Sequence, residues 1–331
     1  GLTTGDNNVA IGYNALDAAV DDETSNVAIG ANAMGAADQG SHANADVDQN
    51  VCIGVNAGYG GDFGSSDLNF TDNIAIGYLA MDGTDAIGAT DNIFIGSSAG
   101  GGSWSTAVSS QNVGIGTSTM DAAMNGALGN TALGYGAGGA ILTGDYNTFL
   151  GRVSGATTTG VQFSVAIGNG AMGSGVVTTN ANGTVAIGSD ALAILTSGAG
   201  NIAIGYQALD AVTTGAHNVA IGYLAADSVL AAFDSSIAIG TNALGGTHTG
   251  TASVQNVAIG GDALAGAMND ADNNTAVGFT AGQAVTTADD SVFIGAEAGK
   301  GITLALGNIA VGKNAMGGVT TQAANYNVAV G

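Results

Sequence analysis

Residues 201–222 read Asn201-Ile-Ala-Ile-Gly205-Tyr-Gln-Ala-Leu209-Asp-Ala-Val-Thr-Thr-Gly-Ala-His-Asn218-Val-Ala-Ile-Gly222, so that one pentapeptide stands at both ends. Its two aliphatic side chains lie two residues apart. In an extended strand they share one face, and the residue between them takes the other. The spacing predicts a short strand closed by glycine.

The same block recurs 18 times, from Asn8–Gly12 to Asn327–Gly331, with 17 to 24 residues between successive block glycines. A unit that short cannot bury its own apolar face, so neighbouring units must stack and share a core. The residue before the glycine is Ile, Leu or Val in all 18 copies, and the residue two earlier is Val, Ile or Thr. Three residues past the glycine stands Ala in 15 of 17 units, Thr119 and Ser154 excepted, followed by Leu or Met in ten and Gly in six. A Val-Thr-Thr segment at Val212, Val285 and Val319 reads as a further extended piece or a turn. Residues 1–331 are thus expected to form a single all-β array, a parallel β-solenoid of about 18 coils. Ile11, Ile29, Ile76, Ile167, Ile204 and Ile221 are expected to fill its core.

A volume rule runs through the repeat. The central block residue is usually Ala, but it is Phe94, Phe149 and Phe293 in three units, and these units carry Gly100, Gly155 and Gly299 where Leu or Met otherwise stands. Cys52 with Gly58 follows the same trend. The two positions therefore share one packing space of fixed volume, which makes Phe94, Phe149 and Phe293 core residues. If the aliphatic pair faces the core of one chain, a buried central residue on the opposite face needs a partner, and the natural one is another copy of this chain. A homo-oligomer is expected, a trimer first.

Composition narrows the classes further. The 331 residues include 58 Gly and no Pro, which excludes long-helix architectures. Three Lys and Arg stand against 26 Asp and Glu, a net charge of −23, so nucleic acid and anionic membranes are excluded as partners. No apolar run reaches the ~18 residues of a membrane span, so no direct membrane insertion is expected. Cys52 stands alone and cannot form an intrachain disulfide.

The Asn opening 14 of the 18 blocks reads as a structural residue that tolerates turn dihedrals and stacks with its equivalents. Catalytic residue types are scarce: three His (His42, His217, His248), two Glu (Glu23, Glu297) and no metalloprotease motif. Gly96-Ser97-Ser98-Ala99-Gly100 matches a nucleophile elbow in letters, but its glycines belong to the repeat and no helix follows. No catalytic residue and no cofactor are assigned. Calcium is the one cofactor considered, because Asp6, Asp72, Asp91, Asp145 and Asp272 lie one or two residues ahead of block Asn and stacking could bring carboxylates together. Their plainer reading is as solvated turn residues. For ligand recognition the longer insertions offer His42, Tyr59, Phe63 and Phe70, and the only tryptophan, Trp104, follows Phe94. Exposed aromatics stack on sugars or anchor partners; the rival reading has these rings filling gaps between coils.

Asn218-Val-Ala-Ile-Gly-Tyr and Asn201-Ile-Ala-Ile-Gly-Tyr-Gln-Ala-Leu resemble the head repeats of trimeric autotransporter adhesins of the YadA type. They are also similar to repeats in phage tail fibres and large marine bacterial surface proteins. The resemblance extends over essentially the whole chain, although the repeat here is longer than the familiar head repeat. It implies a left-handed parallel β-roll, three chains packed about an axis, and a rigid head or shaft outside the cell or on a virion. A surface glycan or protein would be its receptor, and the family brings no catalytic residues. The expectation is a non-enzymatic fibre or a piece of a longer one. Its rivals are a filament subunit that stacks end to end and, more remotely, a glycan-degrading tailspike.

Overall fold

The computed structural model describes residues 5–18, 23–37, 46–60, 69–84, 88–104, 107–228, 233–247, 253–304, 306–318 and 325–331. The chain divides into two compact units, Gly1–Ser164 and Val165–Gly331. In the first, eight three-residue strands run from Val9–Ile11 to Thr148–Leu150. Each pairs in parallel with the strand of the next coil, block upon block, to give seven complete turns. A second parallel ladder joins Val47–Asp48, Phe70–Thr71, Ala89–Thr90 and Ser109–Ser110. In the second unit ten strands, Val165–Ile167 to Val328–Val330, form nine turns in the same register. The one helical element among the described residues is a single 3-10 turn, Thr179–Ala181. The fold is therefore an all-β parallel solenoid with about sixteen complete turns among the described residues, and each of the eighteen blocks forms one of its strands. Val212 and Val285 lie outside any strand, each N–H bonding the carbonyl three residues back, at Leu209 and Gly282; Val319 lies outside the described residues.

The strand faces are reversed from expectation. The central residues, such as Ala28, Ala75, Ala166 and Ala203, are fully buried within the coil. Ile29, Ile76, Ile167 and Ile204 are only half-buried and Ile11 and Ile221 are exposed, so these six point outward and are not core. The reason is the block Asn. Its side chain is buried as well, and strand alternation that turns Asn inward also turns the central residue inward and the aliphatic pair outward. Core volume comes instead from the Ala and Leu or Met after the glycine, from Ile141, Leu195, Val212 and Val285 farther on, and from Val47, Phe70 and Phe233 three residues ahead of a block.

Inside the coil the Asn side chains form a ladder. Asn112 Oδ1 accepts from the Asn130 backbone N–H and from Asn130 Nδ2, both at 3.0 Å. Asn112 Nδ2 donates to Asn92 Oδ1 at 3.1 Å and to the Ala127 carbonyl at 2.9 Å. One side chain thus satisfies backbone groups of the turn that follows it, as buried polar groups require. Where Ser replaces Asn the ladder continues in part: Ser236 Oγ accepts the Asn256 N–H at 3.1 Å. The block glycines stack in a second column. Gly205, at φ 138°, presses so closely on the Gly222 carbonyl that a Cβ would collide with it.

The volume rule extends across coils. A Cβ on Gly155 or Gly299 would strike the ring of Phe149 or Phe293, and one on Gly100 would lie 2.8 Å from Phe94 Cγ. Gly138 and Gly282, in the preceding coils, face the same rings at 3.0 and 2.8 Å, and Gly58 faces the Cys52 sulfur. All six glycines at this position are therefore matched to a central side chain larger than Ala in their own or the next coil. The non-glycine occupants, among them Leu16, Met34, Met81 and Leu209, hold φ between 44° and 55°. That left-handed conformation costs ~1–2 kcal/mol per residue.

Gly155→Leu is expected to overpack against Phe149 and cost ~1–3 kcal/mol, with Phe149→Ala in the same chain recovering much of the loss. Thermal melts of the two single variants and the double variant check this, and strictly additive effects would refute the shared space. Asn112→Ala should cost ~1–3 kcal/mol by stranding the groups it serves, and Asn112→Ser distinctly less. Equal losses for the two variants in urea titrations would count against the ladder.

Candidate functional site

The outward face of the solenoid is apolar where solvent exposure would favour polar residues. In each unit the two aliphatic columns of the block strands run along it, with Leu133 and Leu150 exposed in the first and Ile221, Ile259 and Ile294 in the second. The position after the block glycine adds exposed aromatics: Tyr13, Tyr78 and Tyr135 in the first unit, Tyr206, Tyr223 and Phe279 in the second. Tyr206 and Tyr223, in successive coils, stack with ring centroids 5.3 Å apart and planes at 14°. Arg152 lies over the Tyr135 ring at 5.7 Å. Contiguous apolar surface on this scale is characteristic of a face that meets another molecule. The tyrosines stand in the quoted repeat, Asn218-Val-Ala-Ile-Gly-Tyr, and their fixed place one step past the glycine is the signal that identifies them. Sequence reasoning that turned the aliphatic pair inward gave them no role.

The aromatics proposed for recognition are distributed differently. Trp104 and Phe70 are fully buried, so neither is available to a ligand. Trp104 meets Phe94 edge to face, with centroids 6.0 Å apart and planes at 72°, and fills the coil interior. Phe70 belongs to the second strand ladder, where its ring occupies the column begun by Val47. Tyr59 is exposed. His42 and Phe63 lie outside the described residues.

Two of the five carboxylates proposed for calcium, Asp145 and Asp272, accept backbone N–H groups of the preceding coil. Asp145 Oδ1 accepts the Leu128 N–H at 2.9 Å and its Oδ2 accepts from Gln162 Nε2 at 3.0 Å. Asp272 Oδ1 accepts the Val254 N–H at 2.8 Å. Asp48 and Asp234, also two residues ahead of a block, do the same for Thr24 and Ala216, so an acceptor here ties each coil to the one before. Asp6, Asp72 and Asp91 are exposed. Among the described residues no group of three His, Cys, Asp or Glu is placed to hold a metal ion. The Gly96–Gly100 elbow match is a repeat turn in which the Ser98 N–H bonds the Tyr78 carbonyl at 2.8 Å. Cys52 is buried, and desolvation pushes its thiol up to about 12, against a smaller opposing hydrogen bond with the Ala75 backbone.

A different set of acids, five residues past the block glycine, lies partly inside the surface. Burial raises the Asp82, Asp121, Asp210 and Asp227 carboxyls above the ordinary range. For Asp210 the nearby Asp190 and Asp227 add repulsion. A carboxyl raised in the folded state binds its proton more tightly there, so its ionised form subtracts stability above the folded pKa. That loss is relieved as pH falls through it. The second unit is therefore expected to gain stability between neutral and mildly acidic pH. Asp210→Asn should raise the neutral-pH Tm and flatten the rise, and a Tm that falls steadily with acidification in both chains would contradict this.

Comparison with known proteins finds no matching family model and no similar curated protein, so the functional reading rests on the chain's own geometry.

Proposed function

We propose that this chain is a non-enzymatic structural segment of an attachment fibre, carried outside a cell or on a virion, in which three identical chains pack about one axis through their aliphatic faces. The observation that carries the reading is the outward ladder of Val, Ile and Leu on every block strand. Burying such side chains is worth ~1.5–3 kcal/mol each, and a column repeated coil after coil offers that gain along its length. A net charge of −23 repels copies that approach by any other side, so the neutral aliphatic face is where like chains associate. Matching coils, in register, give two copies of the same chain complementary surfaces without further design. A rigid, acidic, β-solenoid shaft suits the presentation of a binding end to a surface glycan or protein receptor.

Native mass measurement tests the core of this reading: the wild-type chain should run as three copies of 31.6 kDa. Ile204→Asp combined with Ile221→Asp should release single chains with an unchanged β-type circular dichroism spectrum, since both side chains point away from the coil interior. A monomeric wild-type chain would overturn the packing proposal. Labelled fibre that fails to bind any cell or polysaccharide surface in a panel would remove the attachment role.

A further inference from the structure

The coils between Thr131 and Ser164 differ from the rest of the first unit in what they place on the two edges of the aliphatic face. On the trailing edge, one step past the block glycine, stand Tyr135, 56% exposed, and the chain's only arginine, Arg152, also exposed. On the leading edge, one step ahead of the block, stand Tyr146 and Phe163, 50% and 62% exposed, stacked with centroids 5.5 Å apart and planes at 11°. The earlier coils carry Asn7, Ser25, Gln49, Asp72, Asp91 and Gln111 at that leading position. Beside Tyr146 sits Asp145, whose carboxylate is fixed by the Leu128 N–H and Gln162.

Arg152 has no ion-pair partner among the described residues, in a chain with 26 acids. Its guanidinium lies over the Tyr135 ring. Asp145 belongs to the same coil, yet the whole block strand separates the two, at ~3.3 Å per extended residue, so they cannot meet within one chain. Copies related by a rotation axis parallel to the stacking direction keep every coil at its own level. Such a rotation sets the trailing edge of one copy's strand against the leading edge of the next, a head-to-tail contact that closes into a ring. At the level of Thr148–Leu150 this brings Arg152 to Asp145.

We infer that residues 131–164 form a register lock between copies of this chain, in which Arg152 and Tyr135 of one copy seat against Asp145, Tyr146 and Phe163 of the next. The inference rests on the oligomeric reading above and adds which edges meet and at which coil. Aliphatic ladders alone are nearly the same at every level, so two chains could slip by one coil with little loss. Within the first unit, Arg152 and the stacked aromatic pair occur at this level alone and remove that degeneracy. Exposed charge pairs contribute little affinity but do select geometry, and Arg with exposed aromatics is the usual make-up of an interface anchor.

The test uses the conservative Arg152→Lys chain, assembled from a mixture of nitrogen-15-labelled and unlabelled copies and treated with a water-soluble carbodiimide. The reagent activates the Asp145 carboxylate, the introduced amine attacks the acyl carbon to form an amide, and the carbodiimide leaves as its urea carrying the carboxylate oxygen. The expected result is an oligomer by native mass, with a cross-linked peptide pair joining positions 152 and 145 in mixed-isotope form. Asp145→Asn in the same chain should abolish that pair while leaving the oligomer intact. An oligomer whose position-152 cross-links map only to other carboxylates, or are confined to single-isotope pairs, overturns the register lock and leaves the oligomer standing. A monomer by native mass overturns both.

Discussion

The width of the coil interior governs the rest of the structure. Each block turns its Asn and its central residue inward, and the central residue is the one that varies widely in volume. With Ala at the centre, Leu or Met fits opposite; with Phe149 or Phe293 at the centre, glycine is required both in the same coil and in the one before. Close packing of this kind tolerates exchange of volume between positions but not its increase. The inward face being full, the aliphatic pair has nowhere to go but out, and the apolar outer surface is a consequence of the narrow interior.

The polar ladder and the volume rule act together. Asn112 ties its own turn to the next by serving backbone and side-chain groups of both, which fixes register at the backbone level. Register in turn brings the Phe149 ring opposite Gly138 of the previous coil as well as Gly155 of its own. The carboxylates two residues ahead of the block, such as Asp145 and Asp272, repeat the device at the coil corner. What looks in composition like a loose, glycine-rich acidic chain is therefore specified at every coil by neighbours above and below.

The repeat, the parallel strands and the pairing of Phe149 with Gly155 were all legible in the sequence, because each depends on spacing or on volume matched between named positions. The direction of the strand face was not. It turned on whether the block Asn belongs to a turn or to the strand, and the residue type suits both; its buried ladder places it on the inward face. That choice decided the fate of Ile204 and Ile221, and with them the tyrosines at 206 and 223. Trp104 and Phe70 were ambiguous for a related reason, since an aromatic in a glycine-rich stretch fills a gap or faces solvent according to contacts that come from other coils.

The left-handed conformations of Leu16, Met34, Met81 and Leu209 carry a further meaning. A single coil has nothing to hold such residues in place, because the packing that offsets their backbone cost is supplied by the adjoining coil. The array behaves as a one-dimensional lattice with unfavourable sites and favourable junctions. Its first paired coils are the hardest to form, each later one assembles on a finished template, and shortening the array removes junctions faster than it removes strain.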